Sequence, residues 1–174
     1  MAKAIEFYKG KPVFFAANSK ELARAVAAYD GDAQPPYVVR WSGKVSKVRE
    51  KAFEDDEMLE IILLLDTVTK IADGAFSGCV NLTEVHFGES LQDIGENAFY
   101  GCVSLASLFI SAAVVSIANG AFENCSSLAS IKISPDNPYW DSREDCDALE
   151  TVYIKDPALL EKAGIIHHIE ILTT

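Results

Sequence analysis

No uninterrupted apolar run in this 174-residue chain approaches the roughly 18 residues that cross a bilayer as a helix. The first ten residues also lack the basic start and apolar stretch of a secretory signal. The chain as written is therefore expected in the cytoplasm, or at the cell surface or secreted if a signal peptide has been removed. Basic residues are scarce, 15 Lys and Arg against 26 Asp and Glu, and they nowhere form a dense block. A net charge of -11 repels phosphate backbones, so nucleic acid is not expected as a ligand, and the acidity is assigned to solubility. The four cysteines include no Cys-x-x-Cys pair, and none of the three histidines stands at ligand spacing from a cysteine. Neither a metal nor a cofactor is expected. Apolar residues are plentiful at 49%, enough for a core, and the length fits one domain or one array of repeats.

The cysteines are explained by their spacing. Cys79, Cys102 and Cys125 recur at intervals of 23, and Cys146 follows after 21. The segment Ile71-Ala-Asp-Gly-Ala-Phe-Ser-Gly-Cys-Val-Asn-Leu aligns without gaps on Ile94-Gly-Glu-Asn-Ala-Phe-Tyr-Gly-Cys-Val-Ser-Leu. Both align on Ile117-Ala-Asn-Gly-Ala-Phe-Glu-Asn-Cys-Ser-Ser-Leu. Each unit continues as Leu-x-x-apolar-x-apolar: Leu82, Val85, Phe87; Leu105, Leu108, Ile110; Leu128, Ile131, Ile133. A degenerate copy stands one step earlier at Val48, Ala52, Phe53, Leu59, Ile62 and Leu64. Val39 and Trp41 form a further strand pair before it, and Leu149, Val152 and Ile154 close the series. Fixed-period self-similarity of this kind signals a solenoid.

Each column has a physical reading. Alternating apolar positions make a short strand with one buried face. The Ala-Phe pairs lie in the return segment, where a small residue admits the backbone and Phe fills the interior. Two residues after each Phe stands Asp55, Gly78, Gly101 or Asn124, types that tolerate positive φ, so each return segment is expected to end in a left-handed turn. Glu50, Asp73, Glu96 and Asn119 read as acceptors near the start of a helical turn. The cysteines read as small buried hydrophobes rather than disulfide partners.

The run Ile-x-x-x-Ala-Phe-x-x-Cys-x-x-Leu-x-x-apolar-x-apolar resembles the BspA-like leucine-rich repeat of bacterial proteins. The common leucine-rich pattern has Asn or Cys at the ninth position counted from its first Leu, where this chain has Thr67, Ser90 and Ala113. The cysteines instead precede the Leu, as in the BspA-like variant. The resemblance implies a leucine-rich-repeat solenoid, an α/β repeat wound right-handedly with a short parallel sheet on its concave face. It also implies a binding surface, with no catalytic residues to carry over.

The expected organisation is an N-terminal cap over residues 1–36, an array over 37–155 and a C-terminal cap helix and strand over 156–174. In the first cap, Lys9-Gly10-Lys11 reads as a hairpin turn. Asn18 and Glu21 read as a capping box that opens a helix carrying Leu22, Ala25, Val26 and Tyr29, with Gly31 as its stop. In the last, Asp156-Pro157 opens a short helix ended by Gly164, and residues 165–172 form a strand. Between them, residues 134–141 read as an irregular closing loop.

Candidate chemistry is sparse. Adjacent His167 and His168 in a strand point to opposite faces. His86 has no placed nucleophile beside it. The acidic stretches Glu54 to Glu57 and Asp141 to Asp145 lack the spacing of a calcium loop and read as solvated turns. What remains is the sheet face. In each array strand the residue between two buried positions points outward, giving the column Arg40, Leu63, His86, Phe109, Lys132 and Tyr153, flanked by exposed Ile61, Leu65, Glu84 and Ser107. Large apolar and aromatic side chains among charges suit a partner-binding surface. A non-enzymatic module that binds a protein or peptide is the expected function. A self-assembling or surface-adhesin repeat, with homo-oligomers, is the alternative, and a thiol-dependent enzyme a weaker one.

Overall fold

Alternation of buried and outward residues produces the six expected array strands: β3 (Tyr37–Trp41), β5 (Leu59–Leu63), β7 (Glu84–His86), β9 (Ser107–Ile110), β11 (Ser130–Ile133) and β12 (Thr151–Tyr153). The computed structural model describes residues 6–29, 35–41, 46–133, 151–153 and 170–171. Array strands pair in parallel on the repeat register. Val39 stands beside Ile62 and Ile62 beside Val85; Leu108 stands beside Ile131, and Ile131 beside Val152 after the expected slip to 21. A further strand, β13 (Glu170–Ile171), adds in parallel to β12. The chain is thus a leucine-rich-repeat solenoid whose array strands form two parallel stretches, with β9 lying next to β7.

The N-terminal residues extend this sheet. Strands β1 (Phe7–Tyr8) and β2 (Lys11–Ala16) form the expected antiparallel hairpin, and β2 then pairs in parallel with β3. The hairpin turn is a two-residue loop with both Lys9 (φ 50°) and Gly10 (φ 78°) left-handed, the geometry that matches strand twist. Helix α1 (Ser19–Ala27) follows, with the Asn18 side chain accepting from the Glu21 amide and Glu21 Oε2 accepting from the Ala17 amide. Its buried Leu22, with Ala25, Val26 and Tyr29, covers the first end of the core.

The expected helical turn in the return segment is not what forms. Among the described residues α1 is the only α-helix. A second parallel sheet, unforeseen from the sequence, runs along another side of the solenoid: β4 (Lys47–Val48), β6 (Lys70–Ile71), β8 (Asp93–Ile94) and β10 (Ser116–Ile117), each one repeat from the last. The Ala-Phe segment that follows is a chain of tight turns. Amides of Ala52, Glu54 and Asp56 donate to carbonyls three residues back, whereas those of Lys51, Phe53 and Asp55 donate to Asp73, Ala75 and Ser77 of the next turn. The same alternation recurs at Gly74, Phe76 and Gly78, which donate to Glu96, Ala98 and Tyr100. Column 73 accepts as expected, but across turns: Asp73 Oδ1 takes the Glu96 amide at 3.0 Å.

Such a segment needs two left-handed residues. The expected column is there, at Asp55 (φ 55°), Gly78 (74°), Gly101 (69°) and Asn124 (59°). A second, four residues earlier, holds Lys51, Gly74, Asn97 and Gly120, all with φ between 53° and 65°. Its mixture of Gly and Asn was visible in the sequence, but Lys51 hid the pattern.

Inside, Phe53, Phe76, Phe99 and Phe122 stack with ring centroids 5.1–5.5 Å apart and planes within 12° of parallel. Beside them Cys79, Cys102 and Cys125 are buried thiols. Each thiol donates to a Phe carbonyl one turn back: Cys79 to Phe53 (3.0 Å), Cys102 to Phe76 (3.2 Å) and Cys125 to Phe99 (3.2 Å). Burial pushes the Cys79 and Cys102 thiols far above the ordinary range. One step back in this column stands Asp56, which corrects the reading of Glu54 to Glu57 as wholly solvated. Asp56 is buried, with Oδ1 accepting the Met58 amide. Cys146, His167, His168, the 134–141 loop, the 141–145 acidic stretch, Gly31 and the C-terminal helix lie outside the described residues.

Two outcomes follow from this core. Phe99→Ala empties the middle of the aromatic stack and should lower stability by about 3–5 kcal/mol in urea unfolding; a loss under about 1 kcal/mol would remove the Phe column from the core. Cys79, Cys102 and Cys125 should be recovered as free thiols without reductant, and in mildly alkaline buffer they should alkylate only as the protein unfolds. Native alkylation at the rate of a free thiol would contradict their placement.

Candidate binding face

Strand alternation turns every second residue of the array away from the core, and the parallel register lines those residues up. Phe15, Arg40, Leu63 and His86 are consecutive partners across β2, β3, β5 and β7. Phe109, Lys132 and Tyr153 are consecutive partners across β9, β11 and β12. Backbone position therefore gathers all six expected site residues into one column in two stretches, and adds Phe15, which is 46% exposed. The side chains of Lys132 and Tyr153 lie outside the described set.

The column is not uniformly open. The N-terminal hairpin lies across its first half. Arg40 Nη1 donates to Glu6 Oε2 at 2.6 Å. The Tyr8 hydroxyl and His86 Nε2 are 3.1 Å apart, with the rings edge-on at 5.6 Å, and Glu84 Oε2 lies 3.1 Å from the same nitrogen. Lys9 is paired with Glu84, and Lys11 with Glu60. Beneath these contacts Val13, Val38 and Ile61 form a small separate apolar cluster, with Tyr8 and Leu63 packed against it. Ile61, expected to be exposed, is therefore buried at 3% because the hairpin roofs it. Leu65 and Glu84 are half-buried, and Ser107 is exposed as expected. Beyond the hairpin the face opens: Phe109 is 52% exposed.

The hairpin was legible as a hairpin, but its path was not. Tyr8, Lys9 and Lys11 are neighbours of the column that local sequence cannot place, because their partners lie 49 to 78 residues away. Among the described residues no three His, Cys, Asp or Glu side chains gather as a metal-holding group, and no helix is long and apolar enough to cross a membrane.

Electrostatics along the hairpin have a definite sign. The hydrogen bond from Lys9 holds the Glu84 carboxyl below its ordinary value of 4.5, with partial burial opposing and His86 assisting. Glu84 in turn raises Lys9 above 10.5, with Tyr8 and Glu60 adding smaller attractions. A depressed carboxyl stabilises the folded contact above its unfolded pKa, and that contribution is lost as pH falls through the folded value. Glu84 should therefore titrate below 4.5 when its carboxyl carbon is followed by NMR, and Lys9→Met should move the midpoint up. A midpoint unmoved by Lys9→Met would show that the hairpin does not hold this carboxylate.

The geometry can be set beside known proteins. The model of the BspA type leucine rich repeat region, in six copies, matches residues 46–159. Among solved structures the chain is similar to the leucine rich repeat protein TpLRR of T. pallidum, 24% identical with a TM-score of 0.60, over 78% of this chain and 73% of that one. It is similar to the pneumococcal vaccine antigen PcpA, 17% identical with a TM-score of 0.66, over 78% of this chain and 40% of that one. A leucine rich cell surface protein of Faecalibacterium prausnitzii A2-165 is 19% identical with a TM-score of 0.56, over 97% of this chain and 37% of that one. The chain thus spans well under half the length of the last two. A search of curated proteins finds no match. With its repeats matched across residues 46–159, the chain belongs to the BspA-type leucine-rich repeat family.

Proposed function

We propose that this chain is a binding module that recognises a protein or peptide through the outward face of its array sheet and carries out no chemistry of its own. The observation that carries this reading is Phe109, a large aromatic side chain 52% exposed on β9, the strand that opens the second parallel stretch of the array. Its register partners by backbone position are Lys132 and Tyr153, so the sequence sets a basic and a second aromatic residue at the matching positions of the next two strands. Aromatic anchors on a rigid surface lose little entropy on binding, which is why they dominate interface energetics. Sheet strands about 4.8 Å apart present these anchors at fixed spacing.

A thiol-dependent reaction fits poorly with the cysteines described here. Cys79, Cys102 and Cys125 are buried and donate to backbone carbonyls, and burial keeps the Cys79 and Cys102 thiols protonated, so none is poised as a nucleophile. Surface display suits the binding reading, since one similar structure is described as a cell surface protein.

Self-association through the same apolar row is the competing occupancy, and one pair of substitutions separates the cases. Phe109→Glu with Tyr153→Glu should leave the thermal transition in place. It should abolish capture of a partner from bacterial or host extracts if binding is heterotypic, or lower the solution mass if the face pairs with a second copy. A double variant that captures every partner and keeps its mass would place the working surface elsewhere.

A further inference from the structure

The first end of the core is already closed by α1, and the backbone ladder of β2, β3, β5 and β7 is complete without β1. The hairpin arm of β1 and its turn therefore has no capping duty. It covers a sheet face instead, joined to β2 by two bridge pairs, with Phe7 64% exposed on its outer side. Beyond one backbone bond, the Val13 amide to the Glu6 carbonyl at 2.8 Å, its remaining ties are side-chain contacts: Tyr8 against His86 and the Val13, Val38 and Ile61 cluster, Lys9 on Glu84, Lys11 on Glu60, and Glu6 on Arg40. Exposed ion pairs of this kind contribute little to stability, and segments so held open locally at small free-energy cost. Lifting the arm would uncover Val38, Ile61 and Leu63 on β3 and β5, two strands of the array whose next neighbour, β7, lies beside β9 and exposed Phe109.

We propose that the N-terminal hairpin arm is a built-in competitor for the binding face, and that the face takes from a partner chain a segment of the same chemistry: an extended stretch with an aromatic residue beside lysines. This rests on the reading of the array sheet as the binding face. The arm's own contacts define the complement. Glu60 and Glu84 receive ammonium groups, His86 and the apolar cluster receive an aromatic ring, and a chain of net charge -11 attracts a basic segment from a distance. Because the arm is covalently attached, it holds the site at a high effective concentration, and the affinity of an incoming segment falls by the fraction of chains in which the arm is lifted.

The test uses the full chain and a labelled peptide copying residues 4–16. Lys9→Glu with Lys11→Glu should free the arm, read as faster amide exchange at Tyr8 and Val13, and should tighten peptide binding about tenfold or more over the parent chain. Glu60→Lys with Glu84→Lys should free the arm equally but bind the peptide no better than the parent does. That variant should instead take a peptide carrying the two Lys→Glu changes. If the arm is freed in both variants and neither discriminates between the two peptides, the face does not select this chemistry. If the parent and the Lys→Glu variant bind the peptide alike, the arm is not a competitor. Either result overturns the proposal. Partner capture that still depends on Phe109 would then leave the binding-face reading standing, and loss of that dependence would remove it as well.

Discussion

The hydrogen-bond alternation in the return segments governs the rest of the molecule. A buried backbone amide or carbonyl without a partner is costly, and a solenoid turn can pair its return-segment groups only within itself or with the neighbouring turns. The chain resolves this by sending alternate amides in two directions. One set closes tight turns locally; the other, exemplified by Phe53, Phe76 and Phe99, bonds the next turn at 2.8 Å. The arrangement works only if consecutive turns have the same conformation, so the 23-residue period is a requirement of backbone chemistry before it is a matter of packing. Two left-handed columns, the Phe stack and the thiols follow from it. The Phe rings repeat at the spacing the turns impose, and each thiol satisfies its weak donor on a carbonyl one turn back.

Where the period falters, the structure shows what the repeat normally supplies. Asp56 sits in the cysteine column of the degenerate copy, where no earlier Phe-bearing turn offers a carbonyl for a thiol to donate to. A carboxylate is an acceptor there: its Oδ1 takes the Met58 amide, and Oδ2 is buried without a hydrogen-bond partner among the described residues. The array sheet likewise divides between β7 and β9, and past this division, clear of the hairpin, stands the exposed Phe109.

Much of this was legible in the sequence because periodicity is a strong signal. Six strands, the slip to 21, the left-handed positions at Asp55, Gly78, Gly101 and Asn124, the Asn18 cap and the Lys9-Gly10 turn all follow from local residue type and spacing. The second sheet was not legible: two-residue strands such as Lys70–Ile71 are too short for alternation to reveal, and they exist only because a neighbour lies one repeat away. The face was half legible. Alternation identifies which residues leave the core, as with Phe109, but cannot say what folds over them. Ile61 points outward and is nonetheless buried, because Tyr8, 53 positions earlier in the chain, lies on top of it. A contact between a hairpin and a strand so far apart leaves no mark on either segment alone.

The dependence of the fold on bonds between turns is tested most directly by native-state hydrogen exchange in low denaturant. The amides of Phe76 and Phe99, bonded to the next turn, should exchange only through opening of the array, with a denaturant dependence matching that of global unfolding. Exchange at these two amides that is fast and independent of denaturant would contradict the account, since turns that open singly cannot be holding one another in place.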